Sequence, residues 1–329
     1  DMVQPRETLN ARSPEKVHRE GEDQGLVKPQ YVNDQDPWDG DESLVPGQVP
    51  QDNQFRAYGR NFYLRRSFNG AKTSLVFEGV ESSFYVYVNG KFVGYSARLF
   101  NSTHFDVTAF IRAGRNRINV LVFKYSAASW ITDQDMWRMS GIFRSVYLEV
   151  LPKTHIFDMA VKALLATDLK TGELGVDLTV KGKIAGEVQL SVAYKGKVLV
   201  KQAKAIAGSR LSFAARIPRV HPWSAETPAL YDLTLAVKDT AKVVELVPLR
   251  TGFRRVAIEN GLFAVNGKRV EFDGVNRHEW DLRKGHRLSD TEIASDIKIM
   301  TADNIHDLHF RQHPTDPRTS DLWHTLDTY

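Results

Sequence analysis

Cysteine is absent from this chain of 329 residues. Its absence excludes disulfides, thiolate metal sites and a cysteine nucleophile, and leaves the cellular compartment open. Long apolar runs are also missing, because no stretch approaches the roughly 20 residues that a membrane-spanning helix needs. The first residues, Asp1 to Pro5, lack the apolar segment of a secretory signal. We therefore expect a protein that is not integral to a membrane, with a cytoplasmic location.

A concentrated excess of one charge is missing as well. Lys and Arg number 44 against 40 Asp and Glu, and the small excess is scattered rather than gathered into a basic stripe with interleaved aromatics. Nucleic acid is therefore not an expected partner. The hydrophobic fraction of 42% is typical of a globular protein, and the length suits two or three domains.

Residues 1–30 are polar, charged and almost free of aromatics, so they cannot bury enough apolar surface to offset the entropy of ordering. We interpret them as a polar tail. After Phe62 the chain carries short alternating or apolar runs typical of strands, at 74–77, 84–88, 91–95, 117–123 and 146–150. Asn89-Gly90 lies between two of these runs and predicts a type I′ hairpin, which needs positive φ at both central residues. The pattern indicates a sandwich or jelly roll.

A second series of strands is predicted near 175–179, 187–193, 210–217, 231–237 and 243–247. Their close spacing is typical of an immunoglobulin-like sandwich. The pattern then changes to a hairpin at 263–272, followed by a helix. Ser289 and Glu292 form a capping box, and Ile293, Ile297 and Met300 recur at helical spacing. With a further strand and helix, this order opens a parallel α/β unit. A complete barrel of that class takes about 250 residues, so we predict that these residues hold only its start.

The densest cluster of polar and aromatic residues runs from Trp130 to Arg144. Carboxylates accept hydrogen bonds from vicinal hydroxyls, arginine orients carboxylates, and indole rings pack on the apolar face of a pyranose. The cluster therefore suits sugar binding. The alternative is a structured loop with ion pairs and a buried tryptophan.

Five long motifs carry a family resemblance: YVNDQDPWDG, VFEGVESSFYVYVNGKFVGYS, DQDMWRMSGIFRSVYL, HPWSAETPALYDLTL and NGKRVEFDGVNRHEW. Together they resemble the β-galactosidases of glycoside hydrolase family 2, over about residues 31–313. The resemblance implies a mainly β chain with a jelly-roll sugar-binding domain at 31–152 and an immunoglobulin-like sandwich at 153–250. It also implies that the first part of an incomplete (β/α)8 catalytic barrel lies at 251–329. This order agrees with the three segments recognised from periodicity.

The resemblance also implies roles for three residues. Asn33 contacts galactose, and Asp135 touches sugar hydroxyls and helps to hold a sodium ion, a hard cation that suits a carboxylate. His278 contacts the transition state from the end of the first barrel strand, where the catalytic side chains of such barrels lie. The alternatives are a turn asparagine and a structural histidine. Asp133 is given no role, since it can simply pair with Arg138 or Arg144.

The chain departs from the family pattern after Asn304. There the family has Asn-Ala-Val-Arg-x-Ser-His, whose arginine and histidine face the sugar. In the ungapped register these two positions are His309 and Gln312. Arg311 and His313 can replace them only if the strand slips by one residue, which turns its side chains to the opposite face.

A metal site is the alternative interpretation of three histidines in this segment, His306, His309 and His313. Structural zinc sites need four ligands, and hydrolytic ones need three with a water. A polar surface segment is therefore favoured.

Retaining glycosidases need two carboxyl groups roughly 5 Å apart. In this family both glutamates, and the magnesium ligands, lie on later barrel strands that the sequence does not reach before Tyr329. We therefore expect the chain alone to be inactive. The resemblance implies Mg²⁺ and Na⁺ as cofactors, a small-molecule galactoside as substrate, and a complementing chain or a missing continuation as partner. An unfinished barrel leaves strand edges and apolar helix faces exposed, which also favours an oligomer.

Three hypotheses remain open. The chain is a fragment or subunit of a retaining β-galactosidase, which we favour. Alternatively, it is a non-catalytic galactose-binding or complementing module, which the altered segment after Asn304 supports. The third hypothesis is another family 2 activity, β-glucuronidase or β-mannosidase, against which Asn33 and the Asp-Gln-Asp-Met-Trp-Arg run argue.

Overall fold

A computed structural model describes residues 6–7, 30–32, 43–65, 72–132, 136–183, 185–239, 242–272, 274–281, 283–303, 305 and 307–310. The first twelve strands are β1 Arg6–Glu7, β2 Gln30–Val32, β3 Phe55–Leu64, β4 Lys72–Phe77, β5 Val80–Glu81, β6 Ser83–Val88, β7 Lys91–Ser96, β8 Thr103–Asp106, β9 Gly114–Phe123, β10 Met136–Arg138, β11 Gly141–Ile142 and β12 Val146–Leu151. The other twelve are β13 His155–Leu165, β14 Gly172–Lys181, β15 Glu187–Tyr194, β16 Lys197–Ala205, β17 Arg210–Ile217, β18 Tyr231–Asp239, β19 Lys242–Thr251, β20 Val256–Glu259, β21 Leu262–Val265, β22 Lys268–Arg269, β23 Gly274–Arg277 and β24 Asp307–Phe310. The helices are α1 Ser129–Thr132 and α2 Asp290–Ala302.

The chain divides into two compact units. The first unit contains residues 6–150 and 274–326, and the second contains residues 151–273. No helix among the described residues is long and apolar enough to cross a membrane.

The jelly-roll part of the first unit has two four-stranded sheets, ordered β3-β9-β6-β7 and β1-β12-β4-β8. Both sheets contribute to one apolar core, in which the rings of Phe77, Phe84 and Phe105 pack with centroids 4.9–6.0 Å apart. The predicted hairpin is confirmed, because Asn89 has φ 51° and Gly90 has φ 81° between β6 and β7. The mainly β class predicted from alternation is likewise confirmed.

One strand lies inside the segment that the sequence predicts to be a polar tail. Arg6 and Glu7 pair with Glu149 and Leu148 of β12. Antiparallel pairing satisfies backbone groups whatever the side chains are, so a polar composition did not indicate it. The rest of residues 1–29 lies outside the described residues.

The second unit is an immunoglobulin-like sandwich of two sheets, ordered β13-β14-β17 and β16-β15-β18-β19. Its core is built from alternating residues of both sheets around Tyr231, Phe213 and Phe253. Phe253 packs so closely on Gly172 that a Cβ atom there would lie 2.8 Å from its ring. The sheet β20-β21-β22 belongs to this unit too, since Asn266 Nδ2 donates to the Trp223 carbonyl at 2.9 Å. The unit therefore extends beyond the predicted limit at residue 250.

The start of the α/β fold is a strand-helix-strand unit. β23 pairs in parallel with β24, and α2 connects them. The predicted capping box is present, because Ser289 Oγ accepts from the Glu292 amide and the Glu292 carboxylate accepts from the Ser289 amide. Ile293, Ile297 and Met300 form the buried face of α2. The second helix predicted from the sequence lies outside the described residues.

Candidate functional site

The candidate site begins where β23 ends. His278 follows the strand directly and is exposed, whereas its neighbours Arg277 and Glu279 are buried. Arg277 donates to Asp296 Oδ2 of α2 at 2.7 Å. The strand end is thus tied to the helix that follows it, and the histidine side chain is accessible from solvent. The predicted position of His278 at the carboxyl end of the first barrel strand agrees with this placement.

A buried ion pair connects this segment to the jelly roll. Arg144 Nη2 donates to Glu279 Oε2 at 2.9 Å, and the two side chains are 3% and 4% exposed. The same guanidinium donates through Nη1 to the Phe100 carbonyl at 2.8 Å and lies over the Phe143 ring. A buried charge is strongly unfavourable unless it is paired and hydrogen-bonded. The pair therefore fixes the segment that carries His278 against the loop that follows β10.

A second buried contact supports the same loop from the opposite direction. His286 Nε2 lies 3.2 Å from the Trp137 carbonyl and 3.9 Å from Glu81 Oε2. Glu81 Oε1 accepts from the Met139 amide at 2.8 Å. Gly285 has φ 62° and lies against the Met139 side chain, where a Cβ atom would clash. Only glycine allows both that φ at low energy and that approach.

An aromatic wall stands two residues after His278. The indoles of Trp137 and Trp280 stack with centroids 5.9 Å apart and an interplanar angle of 14°. Tyr31 lies 5.4 Å from Trp137 across the β2–β10 pair. Trp137 is 43% exposed and Tyr31 is 48% exposed. Exposed rings held by stacking are suited to pack on the apolar face of a sugar.

Asn33 and Asp135, the other two predicted site residues, lie outside the described residues. Each is next in sequence to the last pair of the β2–β10 ladder, Val32 opposite Met136. Their roles, including the sodium contact of Asp135, stay predictions.

No cluster of three or more His, Asp or Glu side chains suited to a metal forms within the described part of the chain. Of the three histidines considered as metal ligands, His306 and His313 lie outside that part. The backbone of His309 pairs with Asn276. The metal interpretation is therefore untested.

Sequence reasoning missed the pairing of Arg144 with Glu279. It had named Arg144 only as a partner for Asp133. The two residues are 135 positions apart, so no local pattern could join them, although each lies within a quoted family motif. Glu81 and His286 carried no signal of their own.

The carboxylates of Glu81 and Glu279 are both buried in these contacts. They are therefore structural groups. What the described residues offer to a ligand is an exposed imidazole and an aromatic wall, on a framework fixed by buried ion pairs. This arrangement can bind and orient a sugar.

Three family models match the chain in succession. Residues 10–152 match the sugar binding domain of the glycosyl hydrolases family 2, residues 154–254 match the model named for the family itself, and residues 256–329 match its TIM barrel domain.

Curated relatives are β-galactosidases. The enzyme of Streptococcus thermophilus is 41% identical over 302 residues, which are 91% of this chain and 29% of the relative. That of Lactobacillus delbrueckii subsp. bulgaricus is 36% identical over 88% of this chain and 29% of its own length. The β-galactosidase large subunit of Leuconostoc lactis is 36% identical over 85% of this chain and 47% of its own length. The chain thus spans less than half of the relatives it matches.

Solved structures share the fold. The β-glucuronidase of Bifidobacterium dentium, in complex with coumarin-3-O-glucuronide, matches 90% of this chain and 53% of its own, with TM-score 0.73 and 20% identity. The β-glucuronidase of Parabacteroides merdae gives the same TM-score at 19% identity, over 84% of this chain and 38% of its own. Together with the motifs and the three successive domain models, these likenesses show that the chain belongs to the glycosyl hydrolases family 2.

Proposed function

We propose that this chain is the sugar-binding and barrel-opening part of a retaining β-galactosidase that acts on terminal β-D-galactosides such as lactose. One observation carries the proposal: the exposed His278 stands at the carboxyl end of a parallel strand, beside the Trp137–Trp280 wall, on a segment held by the Arg144–Glu279 pair. The names of the curated relatives support the galactoside class.

In this proposal the described residues bind and orient rather than cleave. His278 hydrogen-bonds a sugar hydroxyl, and the indole wall packs on the apolar face of the ring. The two carboxyl groups of a retaining mechanism come from a continuation of the chain or from a second chain. Na⁺, held in part by Asp135, and Mg²⁺ are proposed cofactors, and each would supply positive charge to oxygen ligands. A cytoplasmic location stays a prediction.

A partner for the open α/β unit follows from the same proposal. β24 and α2 carry the pattern of a barrel whose further strands are not in these 329 residues. Unpaired edges and apolar faces favour association. Size-exclusion chromatography with light scattering on this chain should show an oligomer. A monomer whose residues 254–329 resist proteolysis would contradict this.

The main test compares two substrates. The protein extended to the length of its relatives should hydrolyse nitrophenyl β-D-galactoside faster than the corresponding β-D-glucuronide, and the 329-residue chain should hydrolyse neither. Replacing His278 by Ala should lower kcat/KM by about 100-fold or more, as expected for loss of a group that stabilises the transition state. His221→Ala, in the other unit, is the matched control. Faster cleavage of the glucuronide, or an unaffected His278→Ala variant, would overturn the proposal.

A non-catalytic galactose-binding module is the second candidate, favoured by the replacement of the family arginine and histidine by His309 and Gln312. Galactose would then raise the melting temperature of the extended protein, since a ligand that binds only the folded state stabilises it. That protein would not hydrolyse either substrate. Stabilisation with hydrolysis supports the enzyme, and stabilisation without it supports the module.

A further inference from the structure

A groove of about 530 Å³ lies between β7 and β8, away from the residues of the candidate site. These strands are the edges of their two sheets, so the groove follows one open edge of the jelly roll. Its polar lining comes from β7, from β8 and from the segment that connects them, namely Tyr95, Ser96, Arg98, Ser102, Thr103 and His104.

The floor of the groove is fixed by contacts within the chain. Ser96 and Phe105 are buried there. Ser96 Oγ hydrogen-bonds Thr103 Oγ1 at 3.0 Å and accepts from the Arg98 amide at 3.3 Å. Phe105 packs directly on the backbone of β7, because a Cβ atom on Gly94 would lie 2.7 Å from its ring. The groove therefore has its shape before any ligand binds.

One wall of the groove is an aromatic ring held from behind. Tyr95 is 46% exposed, and its ring lies 4.8 Å from that of Tyr85. Tyr85 packs in turn against Phe92 and Phe123, at 6.3 and 5.8 Å. Tyr95 thus presents a positioned ring to solvent. A rigid aromatic surface provides contact area with little loss of side-chain entropy.

The rim of the groove carries hydrogen-bond donors. The exposed guanidinium of Arg98 makes no ion pair with the part of the chain that the structure describes, and a planar fork of donors suits a carboxylate or a pair of vicinal hydroxyls. His104 Nδ1 lies 3.6 Å from Glu149 Oε2, so its charge when protonated is offset. Ser102 and Thr103 add hydroxyls.

We propose that this groove is a second saccharide-binding site, distinct from the one at His278. A pyranose would place its apolar face on Tyr95 and its hydroxyls, or the carboxylate of an acidic sugar, against Arg98 and Ser102. An alternation of one ring with several donors matches a sugar, which has an apolar face and polar edges. A single uncompensated cation does not make the basic stripe that nucleic acid needs. The groove shares no residue with the candidate site, so the inference does not rest on the proposed catalytic function.

The test uses the ¹⁵N-labelled 329-residue chain, titrated with β-1,4-galactotriose and with trigalacturonate. Chemical shifts of the amides from Tyr95 to Phe105 should move, with dissociation constants on the order of 1 mM. Tyr95→Ala and Arg98→Ala should each weaken binding at least about tenfold. Tyr63→Ala is the matched control, because this tyrosine is 69% exposed at the far edge strand of the same sheet. His278→Ala should leave these shifts unchanged.

Tighter binding of trigalacturonate, lost in Arg98→Ala, would show that Arg98 binds a sugar carboxylate. Equal binding of both probes would show that it binds hydroxyls, and either result supports the groove as a saccharide site. The inference is overturned if neither probe shifts these amides, if both variants bind like the wild type, or if all shifts map to the neighbourhood of His278.

Discussion

The two units bury very different side chains. In the second unit the buried polar side chains among the described residues are Thr154, His155 and Glu245, and the core is otherwise apolar. The first unit buries many charged or ionisable groups: Arg56, Glu81, Lys124, Arg138, Arg144, Arg277, Glu279, His286 and Arg287. Buried ion pairs contribute little net stability compared with apolar packing. The comparison teaches that the second unit is built for stability, whereas the first gives up stability around the segment that carries His278.

Breaking the buried pair should have the largest effect. Arg144→Met leaves the Glu279 carboxylate buried without its charged donor, and should lower the free energy of unfolding by about 3–5 kcal/mol. Urea denaturation measures the change. Arg216→Met is the control, because Arg216 and Glu173 form an exposed pair, 72% and 48% accessible, worth less than about 1 kcal/mol. Equal losses in the two variants would contradict the contrast between the units.

An apolar deletion in the second unit should reduce stability without affecting the site. Leu235 is fully buried, and Leu235→Ala should lower the free energy of unfolding by about 3 kcal/mol through lost transfer energy and a cavity. Galactose affinity, measured by calorimetry, should not change. A loss of affinity at a temperature where the variant remains folded would show that the two units are not separable in this way.

The cap of α2 sharpens the comparison at smaller scale. Ser289→Ala removes the side-chain acceptor of the capping box and should cost about 1 kcal/mol. Hydrogen exchange should quicken first at the amides of the first turn of α2. Ser295→Ala, an exposed serine of the same helix, should be neutral or slightly stabilising. A reversed order of these variants would exclude the cap as a source of stability.

The smallest effect is a dependence on pH in the same helix. Burial alone would raise the pKa of Glu292, but hydrogen bonds and charge from Lys284 and Ser289 lower the pKa to about 2 from the usual 4.5. Since the pKa is depressed on folding, the stabilisation is complete above about pH 4.5 and is lost as pH falls towards 2. Glu292→Gln should flatten the pH dependence of the melting temperature in that window. An unchanged profile would refute this assignment.

Local signals predicted much of the fold. Alternation, the Asn89-Gly90 turn and the capping box predicted strands, a hairpin and α2 where the structure has them. Three long strands were missed: β3, β13 and β16. β16 has hardly a buried residue, and β3 mixes charged residues and a glycine into its alternation. Such strands are stabilised by pairing with neighbours rather than by their own pattern.

The site was only partly predictable. The motif at 274–280 correctly placed His278 after a parallel strand. The contacts that fix its segment join residues far apart in sequence, Arg144 to Glu279 and Trp137 to His286. Periodicity reports which face of an element is buried and not which charge lies opposite. The roles of Asn33 and Asp135 stay predictions.

The most direct test of this account replaces the buried pair by apolar residues. We predict that Arg144→Met combined with Glu279→Met, in the protein extended to the length of its relatives, keeps or raises the free energy of unfolding, because no charge is left unpaired. Its kcat/KM on nitrophenyl β-D-galactoside should nevertheless fall at least about tenfold, since each tenfold corresponds to only about 1.4 kcal/mol in the barrel segment's positioning of His278. A stable double variant with undiminished hydrolysis would contradict the claim that the pair positions the site.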